Sequence, residues 1–186
     1  YIIGSSDRYL IGILNSALMN FCYKELTAVF RGGYLRFFTQ YVSKLPIYVG
    51  DSQDKALHDK LVSLVEQMLD LNKQKQSEVQ NFLRWLEGDI GAKVQGLSGA
   101  SKLLEYYGMD FSGFHDLLNK NKRKLKAGYN PRGKQNKELL EYEFNKSADK
   151  IKDLTAKAEE TDRQIDTLVY KLYELTEEEI RIVEGT

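Results

Sequence analysis

Between Lys134 and Glu184 the chain carries no proline and no glycine. Within that run Leu140, Phe144, Ser147, Ile151, Leu154, Ala158, Thr161, Ile165, Leu168 and Leu172 follow steps of four and three. This is a heptad seam, interrupted by two hydroxyl residues and softened by Ala158. A helix of about forty residues would be about 60 Å long at 1.5 Å per residue. A helix so long and so one-sided cannot leave its apolar stripe in water, so it needs a partner. Upstream, Leu57, Leu61, Leu64, Met68, Leu71, Lys75, Glu78, Phe82 and Trp85 repeat the same rhythm. The seams from Leu57 to Trp85 and from Phe144 to Leu172 are equally long. The pattern predicts an antiparallel helical hairpin, with Leu57 near Leu172 and Trp85 near Phe144. Lys75 would then face Leu154 and Glu78 would face Ile151, an imperfect middle that could favour another partner helix.

The expected fold class is mainly α: a long, coiled-coil-like hairpin with a small α+β N-terminal unit and a small helical tip. Asn130-Pro131 reads as the start of the second long helix, with Asn as N-cap and Pro at the first helical position. Gly88 and Gly91 end the first. The expected organisation is residues 1–50 as the N-terminal unit, 51–88 and 131–186 as the hairpin with a terminal short helix, and 89–130 as the tip. In the N-terminal unit, Tyr1–Gly4 reads as the end of a strand, and Ser5, Ser6 and Asp7 offer cap chemistry. Residues 8–28 read as one core helix, since Asn15, Ser16 and Asn20 interrupt an apolar run too short to span a membrane. Tyr34–Phe38 has the look of a strand after a glycine turn. Leu45–Val49 is extended because of Pro46, and Gly50-Asp51-Ser52 leads into the first hairpin helix. In the tip, Ser98–Tyr107 reads as a helix stopped by Gly108, and Asp110 or Ser112 caps the next, with Phe114, Leu117, Leu118 and Leu125 on its apolar face. Thr176-Glu177-Glu178-Glu179 is a capping box that opens a last helix, Glu177–Glu184.

Charge is balanced overall, with 27 basic and 27 acidic residues, so net charge selects no partner. Its distribution is more informative. Lys120, Lys122, Arg123, Lys124, Lys126, Arg132, Lys134 and Lys137 fall in one stretch without an acid. Lys120–Lys126 would lie partly on one side of a helix. Such a patch suits phosphates, with each contact adding to a salt-dependent affinity; the plainer reading is a solvated charged surface. Arg31, Gly32, Gly33 and Arg36 flank a tight turn among aromatics, which suits close approach to a nucleic-acid backbone or base edge; the plainer reading is a turn packed on the core. His58 has Asp54 and Asp59 nearby but no second histidine at ligand spacing. The single Cys22 excludes an internal disulfide, suits a reducing compartment and reads as a buried structural thiol. No dinucleotide, Walker or nucleophile-elbow motif is present. There is no signal peptide and no spanning segment. The start at Tyr1 suggests a piece of a larger protein.

The stretches YLIGILNSALMNFCYKEL, RGGYLRFFTQYVSKLPI, DKALHDKLVSLVEQML and TDRQIDTLVYKLYELTEEEIRIVEG resemble the TaqI-like C-terminal specificity domain of N-6 adenine DNA methylases. That group includes the fused type IIG restriction–modification enzymes. FLRWLEGDIGAKVQGLSGASKLLEYY is similar to them as well. The joint occurrence of the LNS, RGG-LRF, LPI and IDxLVYxLY elements carries the resemblance; Glu174 departs from it, standing where the family usually has glycine. The resemblance implies a DNA-recognition fragment that is itself non-catalytic and cytoplasmic, and that touches no membrane. Its partners are double-stranded DNA and an upstream methyltransferase domain of the same chain, which binds S-adenosylmethionine; this fragment holds no cofactor and no metal. Asn130-Pro131-Arg132 is not the family's catalytic Asn-Pro-Pro motif. The expected DNA contacts are Arg31, Gly32, Gly33 and Arg36, with Lys122, Arg123, Lys124, Arg132 and Lys134 as a second, nonspecific set. The rival reading is a structural helical spacer or protein-interaction module without DNA contact.

Overall fold

A computed structural model describes residues 7–27, 38–49 and 55–185. Two helices dominate it, α4 (Lys55–Ile90) and α7 (Lys134–Leu172). They pair antiparallel, as the two seams require. Early α4 residues Leu61, Leu64 and Val65 share a core with late α7 residues Ile165, Leu168, Val169 and Leu172. Late α4 residues Phe82, Leu83 and Leu86 share another with early α7 residues Leu140, Phe144 and Ile151. Along α7 every predicted seam position is buried except Ala158, which is half-buried. The chain divides into two units, Tyr1–Asp70 with Ala158–Thr186, and Leu71–Lys157. No strand occurs among the described residues. The strand expected at Tyr1–Gly4, most of that at Tyr34–Phe38, and the cap at Gly50–Ser52 lie outside them.

In the first unit the apolar run forms two helices rather than one, α1 (Arg8–Asn15) and α2 (Ala17–Leu26). Asp7 caps α1, its Oδ1 accepting from the backbone of Tyr9 at 3.0 Å and Leu10 at 3.3 Å. The break falls at Ser16, whose backbone is extended and whose hydroxyl caps α2 by accepting from Met19 N–H. A carboxylate from far along the chain completes it: Asp166 Oδ1 accepts from Ala17 N–H at 2.8 Å. Burial pushes the Asp166 carboxyl up, against the lowering effect of that bond. Gly12 lies on α4; a Cβ there would meet Val65 Cγ2 at 2.9 Å and Leu61 Cδ1 at 3.0 Å. After the short helix α3 (Thr39–Val42), the Leu45–Val49 segment forms no helix, as Pro46 suggested. Tyr173 fixes it by donating to Pro46 O at 2.6 Å and accepting from Tyr48 N–H at 2.9 Å.

α7 ends in a left-handed turn. Leu175 N–H reaches Tyr170 O and Glu174 N–H reaches Lys171 O, with Glu174 at φ 52°. This is a Schellman closure, whose left-handed position favours glycine because any Cβ there is strained. Glu174→Gly is therefore expected to raise stability by about 1 kcal/mol, read as a higher denaturation midpoint at unchanged slope; a lower midpoint would mean that the glutamate stabilises the turn. The predicted capping box follows: Thr176 Oγ1 accepts from Glu179 N–H, and Glu179 Oε2 accepts from Thr176 N–H at 2.8 Å, opening α8 (Glu177–Glu184).

In the second unit, α4 runs through Gly88 and stops at Gly91, where φ is +66° and a Cβ would sit 2.6 Å from Lys126 Cβ. That close approach lets Lys126 N–H satisfy the Ile90 carbonyl at 2.9 Å. The expected helix 98–107 is shorter, α5 (Ala100–Leu104) followed by a 3-10 turn at Tyr106–Gly108. Asp110, not Ser112, caps α6 (Phe111–Lys120) through Gly113 N–H. The buried Asn121 bridges Ser98 and Leu117 by side-chain hydrogen bonds. Phe82, Tyr106, Phe111, Phe114 and Phe144 form an aromatic core. Phe82 therefore lies opposite Phe144, in the place expected for Trp85; Trp85 is half-buried beside Phe82.

Candidate nucleic-acid interface

The two expected sets of DNA contacts stand differently. Arg31, Gly32, Gly33 and Arg36 lie outside the described residues. The basic stretch is fully described, but not as one helix face. Lys120 ends α6, Lys122–Lys124 form a 3-10 turn, and Lys126 follows in a loop. Asn130-Pro131 does not start the long helix either. Asn130 instead makes a turn: its Oδ1 accepts from Arg132 N–H at 3.2 Å and its carbonyl from Gly133 N–H at 3.0 Å. α7 begins three residues later than predicted, at Lys134. A side-chain oxygen that serves a turn is not available as a helix cap, and the local sequence does not distinguish the two uses.

All eight cations of the stretch are exposed. None forms an ion pair with a described residue. Lys124 Nζ donates to Gly96 O at 3.0 Å, and Lys126 Nζ lies 5.4 Å from the centre of the Tyr129 ring. Lys134 and Lys137 occupy the first turn of α7, which holds no acid. Cations there oppose the partial positive charge of the helix N-terminus, costing about 0.3–1 kcal/mol each. A bound anion would relieve that repulsion.

A groove of about 310 Å³ opens in this surface, lined by Asp116, Asn119, Lys120, Lys122, Asn130 and Arg132. Two hydrogen bonds order one wall. His115 Nε2 donates to Pro131 O at 2.9 Å, because a carbonyl can only accept. In the neutral ring Nδ1 is then an acceptor, and it takes the Asn119 amide N–H at 3.2 Å. Asp116, Asn119 and His115 were absent from the sequence-based set. Their signal is an acid and an amide one turn either side of Lys120 and His115, which means little before the turn at 130–133 is known to fold against α6.

A family model described as a domain of unknown function, DUF8810, matches residues 54–169. That is well over half of the chain. The chain belongs to the DUF8810 family. The DUF8810 match takes in all of α4, the tip, the basic stretch and most of α7. No curated protein and no solved structure matches the chain.

The other chemical candidates dissolve into packing. His58 stacks on Tyr9 with ring centres 4.6 Å apart, its Nδ1 3.2 Å from Asp59 Oδ1; Asp54 lies outside the described residues. Among the described residues no group of three or more His, Cys, Asp or Glu could hold a metal. Cys22 is half-buried, and burial pushes its thiol up, away from the reactive thiolate. No described helix is long and apolar enough to cross a membrane. Three short sequence elements meet in the first unit: Ser16 of LNS and Asp166 of IDxLVYxLY flank Ala17, and Tyr173 binds the LPI backbone.

Proposed function

We propose that this DUF8810 chain is the non-catalytic DNA-recognition part of an N-6 adenine DNA methyltransferase of the restriction–modification type. In this reading it works in the cytoplasm, and an upstream domain of the same protein binds S-adenosylmethionine and performs the methylation. Double-stranded DNA is the ligand. The observation that carries the reading is the group of eight exposed cations without an ion-pair partner, two of them set against a helix N-terminus. Charges kept unneutralised and at a cost to the fold are suited to counterion exchange with phosphates. The resemblance of the LNS, LPI and IDxLVYxLY elements to the specificity domain of such enzymes is the other ground for it. Arg31, Gly32, Gly33 and Arg36 stay in the proposal as contacts implied by the resemblance.

The test is binding of the chain to a random duplex across a salt series. Lys122→Gln, Arg123→Gln and Lys124→Gln together are expected to flatten the slope of log affinity against log salt by about 2–3, at about 0.9 per phosphate contact. An unchanged slope would remove this surface from the interface. Absence of any retardation at low salt would favour the second reading, a helical spacer that touches no nucleic acid. That reading has its own support in the exposed Leu139 and Tyr142 of α7, 42% and 62% accessible, which a protein partner could cover.

A further inference from the structure

The groove beside Lys120 is not lined as a plain phosphate site would be. Lys120, Lys122 and Arg132 supply cations, but Asp116 stands in the same wall and forms no ion pair with them. A carboxylate repels a phosphate and lowers the affinity of a site meant only for one. Asn119 points the same way. Its N–H is used by His115, whose ring is held by the Pro131 carbonyl. The amide is thus locked with its Oδ1 left over as an acceptor, and no described residue donates to it. Asn130 is the mirror case: its Oδ1 is used by Arg132 N–H, so its amide N–H groups are left as donors. One groove therefore offers two acceptors, Asn119 Oδ1 oriented by His115 and the exposed Asp116 carboxylate, beside three cations and an amide donor. A ligand that satisfies both halves carries a phosphate and an N–H donor.

From the reading above that this surface meets nucleic acid, we infer that the groove is a nucleotide-sized site selecting a base with an amino group at C4 of a pyrimidine or C6 of a purine, cytosine or adenine, where thymine and guanine carry a carbonyl. The phosphate rests on Lys120, Lys122 and Arg132, and the amino group donates to Asn119 Oδ1 and Asp116. A volume of about 310 Å³ sits at the small end of ligand clefts and accommodates one nucleotide. Carboxylates accept from cytosine N4, and an asparagine oxygen accepts from adenine N6. Thymine presents a carbonyl where cytosine presents the amino group, and that oxygen would face two acceptors. Asn119 and Asp116 are the contacting residues; His115 is a positioning residue that sets which end of the amide faces the groove.

The experiment titrates the full chain with short labelled oligo(dC), oligo(dA) and oligo(dT) at low salt. Oligo(dC) and oligo(dA) are expected to bind at least about tenfold tighter than oligo(dT), the about 1–3 kcal/mol that one good base contact discriminates. Asn119→Leu should abolish the difference, whereas Lys120→Gln with Arg132→Gln should weaken all three alike. A readout independent of any variant is the ¹H–¹⁵N signal of the Asn119 side chain, expected to move with dCMP and not with inorganic phosphate. Equal affinity for the three oligonucleotides would overturn base selection and leave the phosphate-contact reading standing. No binding of any of them would overturn the groove as a nucleotide site, while the duplex reading stands or falls separately on retardation of the random duplex.

Discussion

Phe82→Ala is expected to destabilise the unit formed by Leu71–Lys157 by about 3–5 kcal/mol, the range for truncating a well-packed aromatic. Phe82 is 4% exposed and is the hub of the aromatic core. Its ring centre lies 4.0 Å from that of Tyr106, 5.9 Å from Phe114 and 6.4 Å from Phe144. These neighbours come from the 3-10 turn, α6 and α7, so one deletion leaves three elements facing a void that none can fill alone. Aromatic pairs add about 0.5–1.5 kcal/mol beyond their buried area, which places the cost high in the range. The single Trp85, 5.6 Å from Phe82, reports the transition by fluorescence. A midpoint shift worth less than about 1 kcal/mol would mean that the core collapses around the gap. Phe82→Leu, which keeps most of the volume, should recover much of the loss.

What the sequence shows of this fold is what periodicity can encode. The seams are properties of single helices, and both are legible because the apolar stripe must be buried somewhere. Val65, Leu83, Leu86 and Ile90 are buried yet lie off the α4 seam. They widen the stripe where a third element packs, Gly12 of α1 against Val65 in one unit and the aromatic tip in the other. The missed break at Ser16 has a different cause. The acceptor that satisfies Ala17 N–H comes from Asp166, 149 residues away, and no local reading can supply it. At Asn130 the local signal pointed the wrong way, since the same side-chain oxygen can cap a helix or close a turn. The candidate site divides along the same line. Its cations are visible as a run without acids, but the groove needs Asp116 and Asn119 of α6 beside Asn130 and Arg132. That juxtaposition follows from the His115–Pro131 hydrogen bond and from the turn at Lys126–Tyr129, where the Tyr129 hydroxyl is held by Asp89.

Removing the Ser147 hydroxyl is expected to cost about 2–3 kcal/mol, although the side chain is small and sits in an apolar seam. Ser147 is 3% exposed and joins two polar groups that have reason to be there only because of it. Its Oγ lies 2.6 Å from the Tyr106 hydroxyl and donates to Glu78 Oε1 at 2.8 Å, so the tyrosine donates to the serine. Glu78 Oε2 in turn accepts from Lys150 Nζ at 2.6 Å. The chain of bonds accounts for two of the polar residues that interrupt the seams, Glu78 and Ser147. Glu78 faces Ser147 and Lys150 instead of an apolar partner, and burial pushes the Tyr106 hydroxyl up to about 12. In Ser147→Ala the buried tyrosine hydroxyl loses its acceptor, which costs about 1–3 kcal/mol, and the half-buried Glu78 loses one donor while keeping Lys150. Tyr106→Phe removes the orphaned hydroxyl as well, so the double variant Ser147→Ala with Tyr106→Phe should be no less stable than Ser147→Ala alone. A full additive loss in the double variant would show that the two hydroxyls contribute separately. The same network sets a pH dependence. Burial raises the Glu78 carboxyl, but its hydrogen bonds to Lys150 and Ser147 and the charges of Lys150 and Lys146 outweigh that, and its folded value lies below the ordinary 4.5. Its contribution is therefore complete above the unfolded value and is lost as the pH falls through the lowered one. Glu78→Gln should flatten the loss of stability on acidification in that window, and an unchanged acid limb would place the acid sensitivity of this unit elsewhere.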